Sequence, residues 1–154
     1  MPYVYFFLKS KDTSNNDVID FRDGKNDTAL IGYAKKQPPE NLDNQLFEFD
    51  FSGDPTYFFL TNKLGTVIDD AGSTGVNLVA YARNVPTTDN QIWSLEALDA
   101  NGEYYYISNK AHPEKVITLG KVRTNPKEKD LTLSPKQTPP LDTQLWSIVP
   151  TTHP

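Results

Sequence analysis

The side chains of this chain with chemistry to offer are carboxylates, carboxamides and phenols. Asp20 with Asp23, and Asp69 with Asp70, are the two tempting carboxylate pairs. Two carboxyls about 5–9.5 Å apart are what hydrolysis of a glycoside needs. Both pairs sit in short polar turns, without an apolar cluster in sequence to raise one pKa, so no enzymatic activity is expected. Taken singly, each Asp reads as a turn residue bonding its own backbone. Cysteine is absent, and His112 and His153 are the only histidines. Disulfides, thiolate metal sites, cysteine nucleophiles and multi-histidine zinc sites are thereby excluded, and no cofactor or metal is expected.

The elements that hold these residues must be short. Twelve prolines and eight glycines are spread along 154 residues that also carry eight Tyr, eight Phe and two Trp. Such a composition favours many strands and turns over long helices. The length suits a single domain, residues 1–154, large enough to bury a core without a disulfide. No segment approaches the roughly 18 apolar residues of a membrane span, so no membrane insertion is expected. Met1–Leu8 is apolar but lacks the flanks of a secretory leader, and reads as a first strand. With no cysteine either, a cytoplasmic protein is expected, one that would act extracellularly after release or ingestion.

Net charge is −5, which disfavours nucleic acid as a partner. The basic excess lies late in the chain, in Lys121, Arg123, Lys127, Lys129 and Lys136. Glu128 and Asp130 interrupt that run, and a solvated loop is the expectation for it.

The chain repeats itself three times. Phe7-Leu8-Lys9-Ser10-Lys11, Phe59-Leu60-Thr61-Asn62-Lys63 and Tyr106-Ile107-Ser108-Asn109-Lys110 open the units. Val18-Ile19-Asp20, Val67-Ile68-Asp69 and Val116-Ile117-Thr118 follow, 49 residues apart both times. Gln45-Leu46-Phe47, Gln91-Ile92-Trp93 and Gln144-Leu145-Trp146 close them. The units are therefore about 1–51, 52–103 and 104–154. Unit two reads as four strands, Tyr57–Thr61, Thr66–Asp69, Asn77–Ala82 and Gln91–Leu95, with turn residues between. Three four-stranded units are too few for a propeller. Twelve strands in threefold repetition point to an all-β closed barrel capped by hairpins, the β-trefoil, which leaves few exposed strand edges. On a strand, Gln45 and Phe47 would share one face. Phe47, Trp93 and Trp146 are expected to meet at the centre of the core.

On these motifs the chain resembles the ricin B-type, or Gln-x-Trp, β-trefoil lectins. The resemblance covers residues 3–149, and the Ile-Gly-Tyr and Val-Ala-Tyr segments liken it to cytosolic mushroom lectins. It implies carbohydrate binding without catalysis. It also implies a site made of an Asp after the second strand, an aromatic on the third and an Asn beside the motif Gln. In unit one these are Asp20, Tyr33, Asn44 and Gln45, with Ile31 and Gly32 alongside. In unit two they are Asp69, Tyr81, Asn90 and Gln91, with Val79 and Ala80. Ile31 and Val79 stand where some members carry a polar side chain. Unit three has Thr118, Ser134 and Thr143 at the corresponding places, so it keeps the core motif and loses the sugar-binding set.

The residue types suit a pyranose. A carboxylate accepts two hydroxyl hydrogens, a Tyr ring covers a C–H patch, and an Asn amide donates where Asp cannot. Galactose and N-acetylgalactosamine, whose axial O4 leaves one contiguous apolar face, are the ligands the resemblance implies, carried on glycoproteins or glycolipids. Single sites of this kind are weak, and two on one chain raise avidity. The Tyr104-Tyr105-Tyr106 run reads either as an apolar rim for a homodimer, a further multiplier, or as a strand whose alternate residues are core. Haemagglutination and defence against feeding animals fit such a protein. The alternative is a β-trefoil protease inhibitor acting through Lys35–Asn41 or the long Gly120–Leu131 segment. Asp20 and Asp69 are expected at the surface, replaceable without harm to the fold.

Overall fold

Short apolar runs broken by Gly, Pro, Asn and Asp fold here as strands and nothing longer. The structure, a computed structural model, describes residues 5–12, 14–51, 53–98 and 100–151. Met1–Val4 of the expected first strand and His153 lie outside the described residues. Among the described residues, thirteen strands form one antiparallel system. They are β1 Phe6–Ser10, β2 Asp17–Asp20, β3 Thr28–Ala29, β4 Ile31–Ala34, β5 Phe47–Phe51, β6 Phe58–Asn62 and β7 Val67–Asp70. The remainder are β8 Leu78–Tyr81, β9 Trp93–Ala97, β10 Tyr105–Asn109, β11 Lys115–Val122, β12 Lys129–Pro135 and β13 Trp146–Pro150.

Six of them close a ring: β1 pairs β13, then β10, β9, β6 and β5 follow in turn, and β5 pairs back to β1. The pairs β2–β4, β7–β8 and β11–β12 cap it, one hairpin per unit. This is the β-trefoil. The expected twelve strands become thirteen because the third strand of unit one breaks at Leu30, whose N–H donates to the Leu78 carbonyl at 3.1 Å. On one side of the break β3 pairs β8, and on the other β4 pairs β2 and β12.

Period-two alternation sets what each barrel strand buries. Phe6 and Leu8, Phe58 and Leu60, and Ile107 point into one large core. Phe7, Phe59 and Tyr106 point outward into three small clusters, each with a Val of the capping hairpin and the middle residue of the Gln-x-aromatic motif. Phe47, Trp93 and Trp146 lie fully buried in the large core, as the motif predicts. The Trp93 and Trp146 indole N–H groups donate to the Ile68 and Ile117 carbonyls, both at 2.9 Å, so neither buried donor is left unmatched.

Three expectations change. Gln45, Gln91 and Gln144 each end a one-turn 3-10 helix, at Asp43–Gln45, Asp89–Gln91 and Asp142–Gln144, and the barrel strand starts only at the aromatic. Half of the Gly120–Leu131 segment is strand, leaving residues 123–128 between β11 and β12. Within it Lys129 is buried rather than solvated, with its Nζ 2.9 Å from Asp17 Oδ2. Of the two readings of Tyr104-Tyr105-Tyr106, the core one describes the strand: Tyr106 is buried and Tyr104 packs beside it.

Candidate functional site

In each unit the motif Gln is a three-way clamp. Its Oε1 accepts the N–H of Lys36, Asn84 or Gln137, at 2.9, 2.8 and 2.9 Å. Its Nε2 donates to the carbonyl of Ala34, Ala82 or Pro135, at 3.1, 2.9 and 3.0 Å. The second Nε2 hydrogen goes to the residue ending the Val-Ile-x triplet. Gln45 reaches Asp20 Oδ2 at 2.9 Å, Gln91 reaches Asp69 Oδ2 at 2.7 Å, and Gln144 reaches Thr118 Oγ1 at 3.3 Å. A fully buried amide thus spends both its donors and one of its acceptor lone pairs on fixing the hairpin to the turn.

The Asn beside the Gln completes the group in two units. Asn44 Nδ2 donates to Asp20 Oδ1 and to the Arg22 carbonyl, both at 3.1 Å. Asn90 Nδ2 lies 3.4 Å from Asp69 Oδ1 and 3.2 Å from the Asp70 carbonyl. Strand register brings the tyrosines to the same face. Val18 pairs with Tyr33 and Asp20 with Ile31, and in unit two Val67 pairs with Tyr81 and Asp69 with Val79. Residues two apart on a strand share a face, so each half-buried Tyr stands on the face of its Asp. Register gives Ser134 the third such position, opposite Val116.

The expected surface placement of the two carboxylates is overturned, because Asp20 and Asp69 are only 3% and 5% exposed. Besides the two amides, Asp20 accepts the Arg22 N–H at 2.7 Å. These bonds make both carboxylates part of the fold as well as candidates for ligand contact. Burial is the main cause that lifts the Asp69 carboxyl above its ordinary value, against the Gln91 hydrogen bond, with repulsion from Asp70 and Asp27 adding to it.

Four neighbouring residues divide by face. Ile31 and Val79 lie on the face of the Asp but are buried. Gly32 and Ala80, opposite Ile19 and Ile68, turn toward the barrel and leave only backbone atoms for the outer side. A Cβ at Gly32 would stand 2.3 Å from Leu119 Cδ1, which explains the glycine. Asp23 and Asp70 serve turns, as each does alone in sequence. Asp23 accepts Lys25 N–H at 3.0 Å, and Asp70 accepts Gly75 N–H at 2.9 Å.

Several supporting residues were not visible in the sequence. Lys36 Nζ donates to Asn44 Oδ1 at 3.1 Å, whereas in unit two Thr88 Oγ1 donates to Asn90 Oδ1 at 2.6 Å. Asn62 and Asn109, from the polar triplets that open units two and three, donate to the Asn44 and Asn90 carbonyls at 3.1 and 3.2 Å. The triplets marked the repeat; nothing in their spacing said that each grips the preceding unit.

A family model described as ricin-type beta-trefoil lectin domain-like matches residues 43–133. No curated protein matches the sequence. Among solved structures, the designed threefold-symmetric protein ThreeFoil superposes with a TM-score of 0.76 at 20% identity, over 94% of this chain and 97% of its own. The Polyporus squamosus lectin bound to a Neu5Ac-containing epitope superposes with a TM-score of 0.72 at 18% identity, over 96% of this chain and 49% of its own. SeviL bound to the asialo-GM1 saccharide gives 0.66 at 16%, over 96% and 97%. Likeness at these identities speaks for the fold.

Proposed function

Since the chain belongs to the ricin-type β-trefoil lectin domain-like family, we propose that it binds glycans through units one and two, without catalysis. One observation carries this reading. The Asp–Gln–Asn group with a tyrosine on the same face recurs in two units, while unit three keeps the Gln clamp on a threonine. A clamp that works on Thr118 does not require a carboxylate, so the carboxylates of Asp20 and Asp69 have a use beyond holding the turn.

Asp69, accepting two internal bonds, keeps two acceptor positions for vicinal hydroxyls, and Asp20, accepting three, keeps one. Tyr33 or Tyr81 stacks on the C–H face, and the amide of Asn44 or Asn90 lies beside the carboxylate. The backbone at Ile31-Gly32 and Val79-Ala80 borders the sites. Galactose and N-acetylgalactosamine are the proposed ligands, by their contiguous apolar face. A shallow site of this sort binds near the millimolar range, roughly −4 kcal/mol, and two on one chain raise avidity on a dense glycan surface. Haemagglutination and a defensive role are the proposed consequences, for a cytoplasmic protein that acts extracellularly after release or ingestion. The domain boundaries at 1 and 154, and a homodimer as a further multiplier, belong to the same proposal.

Agglutination of red cells blocked by free galactose or lactose, with a glycan array to rank ligands, tests the reading. Agglutination indifferent to every galactoside would overturn its specificity. An array without any bound glycan would overturn the function.

A further inference from the structure

Each capping hairpin reaches across a seam onto the next unit. From unit one, the Asp27 N–H donates to the Ala80 carbonyl and Asn26 Oδ1 accepts the Ala82 N–H, both at 2.9 Å. From unit two, the Val76 carbonyl accepts the Leu133 N–H at 2.8 Å. From unit three, Lys129 pairs with Asp17, and Pro126 and Lys127 face Tyr33, Ala34, Asn15 and Asp17 across a cavity of about 420 Å³. That volume falls within the usual range for small-ligand sites, about 300–1,000 Å³. Unit three, which has Thr118 in place of the Asp, therefore supplies a wall to the cavity beside Tyr33.

The neighbouring hairpins bring charges of opposite sign: the cation Lys127 beside Tyr33, and the anion Asp27 toward Asp69. Lys127 is exposed and has no ion-pair partner among the described residues. A second cation, Lys36, sits on the Asn44 amide. The nearby carboxylates are engaged: Asp17 by Lys129, Glu128 by Arg22 and Arg123, and Asp130 by Arg123. Asp23 is exposed but turned to Lys25 N–H and Thr28 Oγ1. In unit two the same amide position is neutral, with Thr88 and Asn84 in a chain of hydrogen bonds. The hairpin there brings Asp27, close enough to add to the repulsion on Asp69. Arg83, the cation on that side, is paired with Asp50 and lies over the Phe59 ring.

Resting on the glycan reading above, we propose that unit one selects saccharides bearing an anionic group, a carboxylate or a sulfate ester, on the sugar beyond the one at Asp20. Unit two is confined to neutral ones. Lys127 is the specificity-determining residue, and its ammonium meets the anion across the Tyr33 cavity. An exposed pair of this kind is worth about a two- to fivefold gain in affinity, and salt erodes it.

Amide chemical shifts of the labelled protein report on the two sites separately. Lactose, sialyl-lactose and sulfo-lactose are titrated at low ionic strength, the last two in each available regioisomer. Anionic probes are expected to perturb amides around Tyr33 at concentrations about two- to fivefold below lactose, with no such gain around Tyr81. A gain confined to the sialyl or to the sulfo probes identifies the anion. Lys127→Gln should bring the ratio of lactose to anionic half-saturation to near unity, and Lys127→Arg should keep it. Equal ratios at both sites, or a ratio untouched by Lys127→Gln while lactose still binds, would overturn the proposal. An anionic response that depends on Lys127 without any lactose response would uphold it and overturn the galactoside reading. Silence from every probe would overturn both.

Discussion

Gln144 Nε2 donates to Thr118 Oγ1 at 3.3 Å, where its counterparts Gln45 and Gln91 meet the carboxylates of Asp20 and Asp69 at 2.9 and 2.7 Å. The third unit thus shows the clamp working on a neutral β-branched side chain. Packing and the proposed ligand chemistry, joined in Asp20 and Asp69, come apart at Thr118.

A knock-out variant follows from that pair. Asp20→Thr with Asp69→Thr preserves the acceptor for each Gln and suits a strand, while deleting both carboxylates. Each change forfeits one or two hydrogen bonds to a charged acceptor, at about 1.5–3 kcal/mol apiece. The double variant is expected to fold, by circular dichroism, and to lose galactoside binding, by calorimetry. The corresponding alanines strand a Gln amide hydrogen in the interior and should melt lower than the threonines. Thr118→Ala should leave binding unchanged.

Core aromatics carry stability and not binding. Trp93 and Trp146 are fully enclosed and hydrogen-bonded through the indole. Replacing either with Ala removes a large apolar volume and opens a cavity, at on the order of 3–5 kcal/mol. A urea midpoint that failed to move for Trp93→Ala would contradict its placement in the barrel.

Acid acts on unit two in two opposite ways. Burial is the main cause that lifts the Asp69 and Asp70 carboxyls above the ordinary value of 3.8. Between the ordinary value and the raised ones the folded state holds more protons than the unfolded chain. The contribution of these two groups to stability therefore falls as pH rises through that window and grows on acidification. Binding runs the other way, because protonated Asp69 loses acceptor capacity. Titrations of the Tyr81 region should show affinity fading as pH drops through the raised Asp69 value, before global unfolding.

The hairpin of unit three is held down by one buried ion pair. Lys129 and Asp17 have side chains 10% and 1% exposed, at 2.9 Å. Lys129→Met leaves the Asp17 charge uncompensated and is expected to cost about 3–5 kcal/mol, with Asp17→Asn in the same chain recovering most of it. Denaturant midpoints of the two singles and the double check this. Additive losses would show that the pair does not interact.

Much of this molecule is written plainly in its sequence. Three copies of Val-Ile-x and of Gln-x-aromatic, at matching intervals, point to threefold strands and to Phe47, Trp93 and Trp146 as the hub. Asp20, Tyr33 and Asn44, and their partners in unit two, are legible because the same types recur in the same order. Depth was not legible: Asp20 and Asp69 resemble surface turn residues in sequence, and their bonds to Gln and Asn, with the Arg22 N–H on Asp20, make burial tolerable. Neither was anything that crosses a seam. Lys129 sits amid exposed charges in sequence, yet its partner Asp17 belongs to the first unit, and Asn62 grips a carbonyl of the unit before its own. Repeats reveal what a unit does for itself and conceal what it does for the next.

Amide-shift mapping of the intact protein with lactose is the most direct test of a two-site molecule. Two clusters of perturbed residues are expected, around Asp20 and Tyr33 and around Asp69 and Tyr81, both absent from the double threonine variant. Perturbations centred on Thr118 and Ser134, or none anywhere, would contradict it.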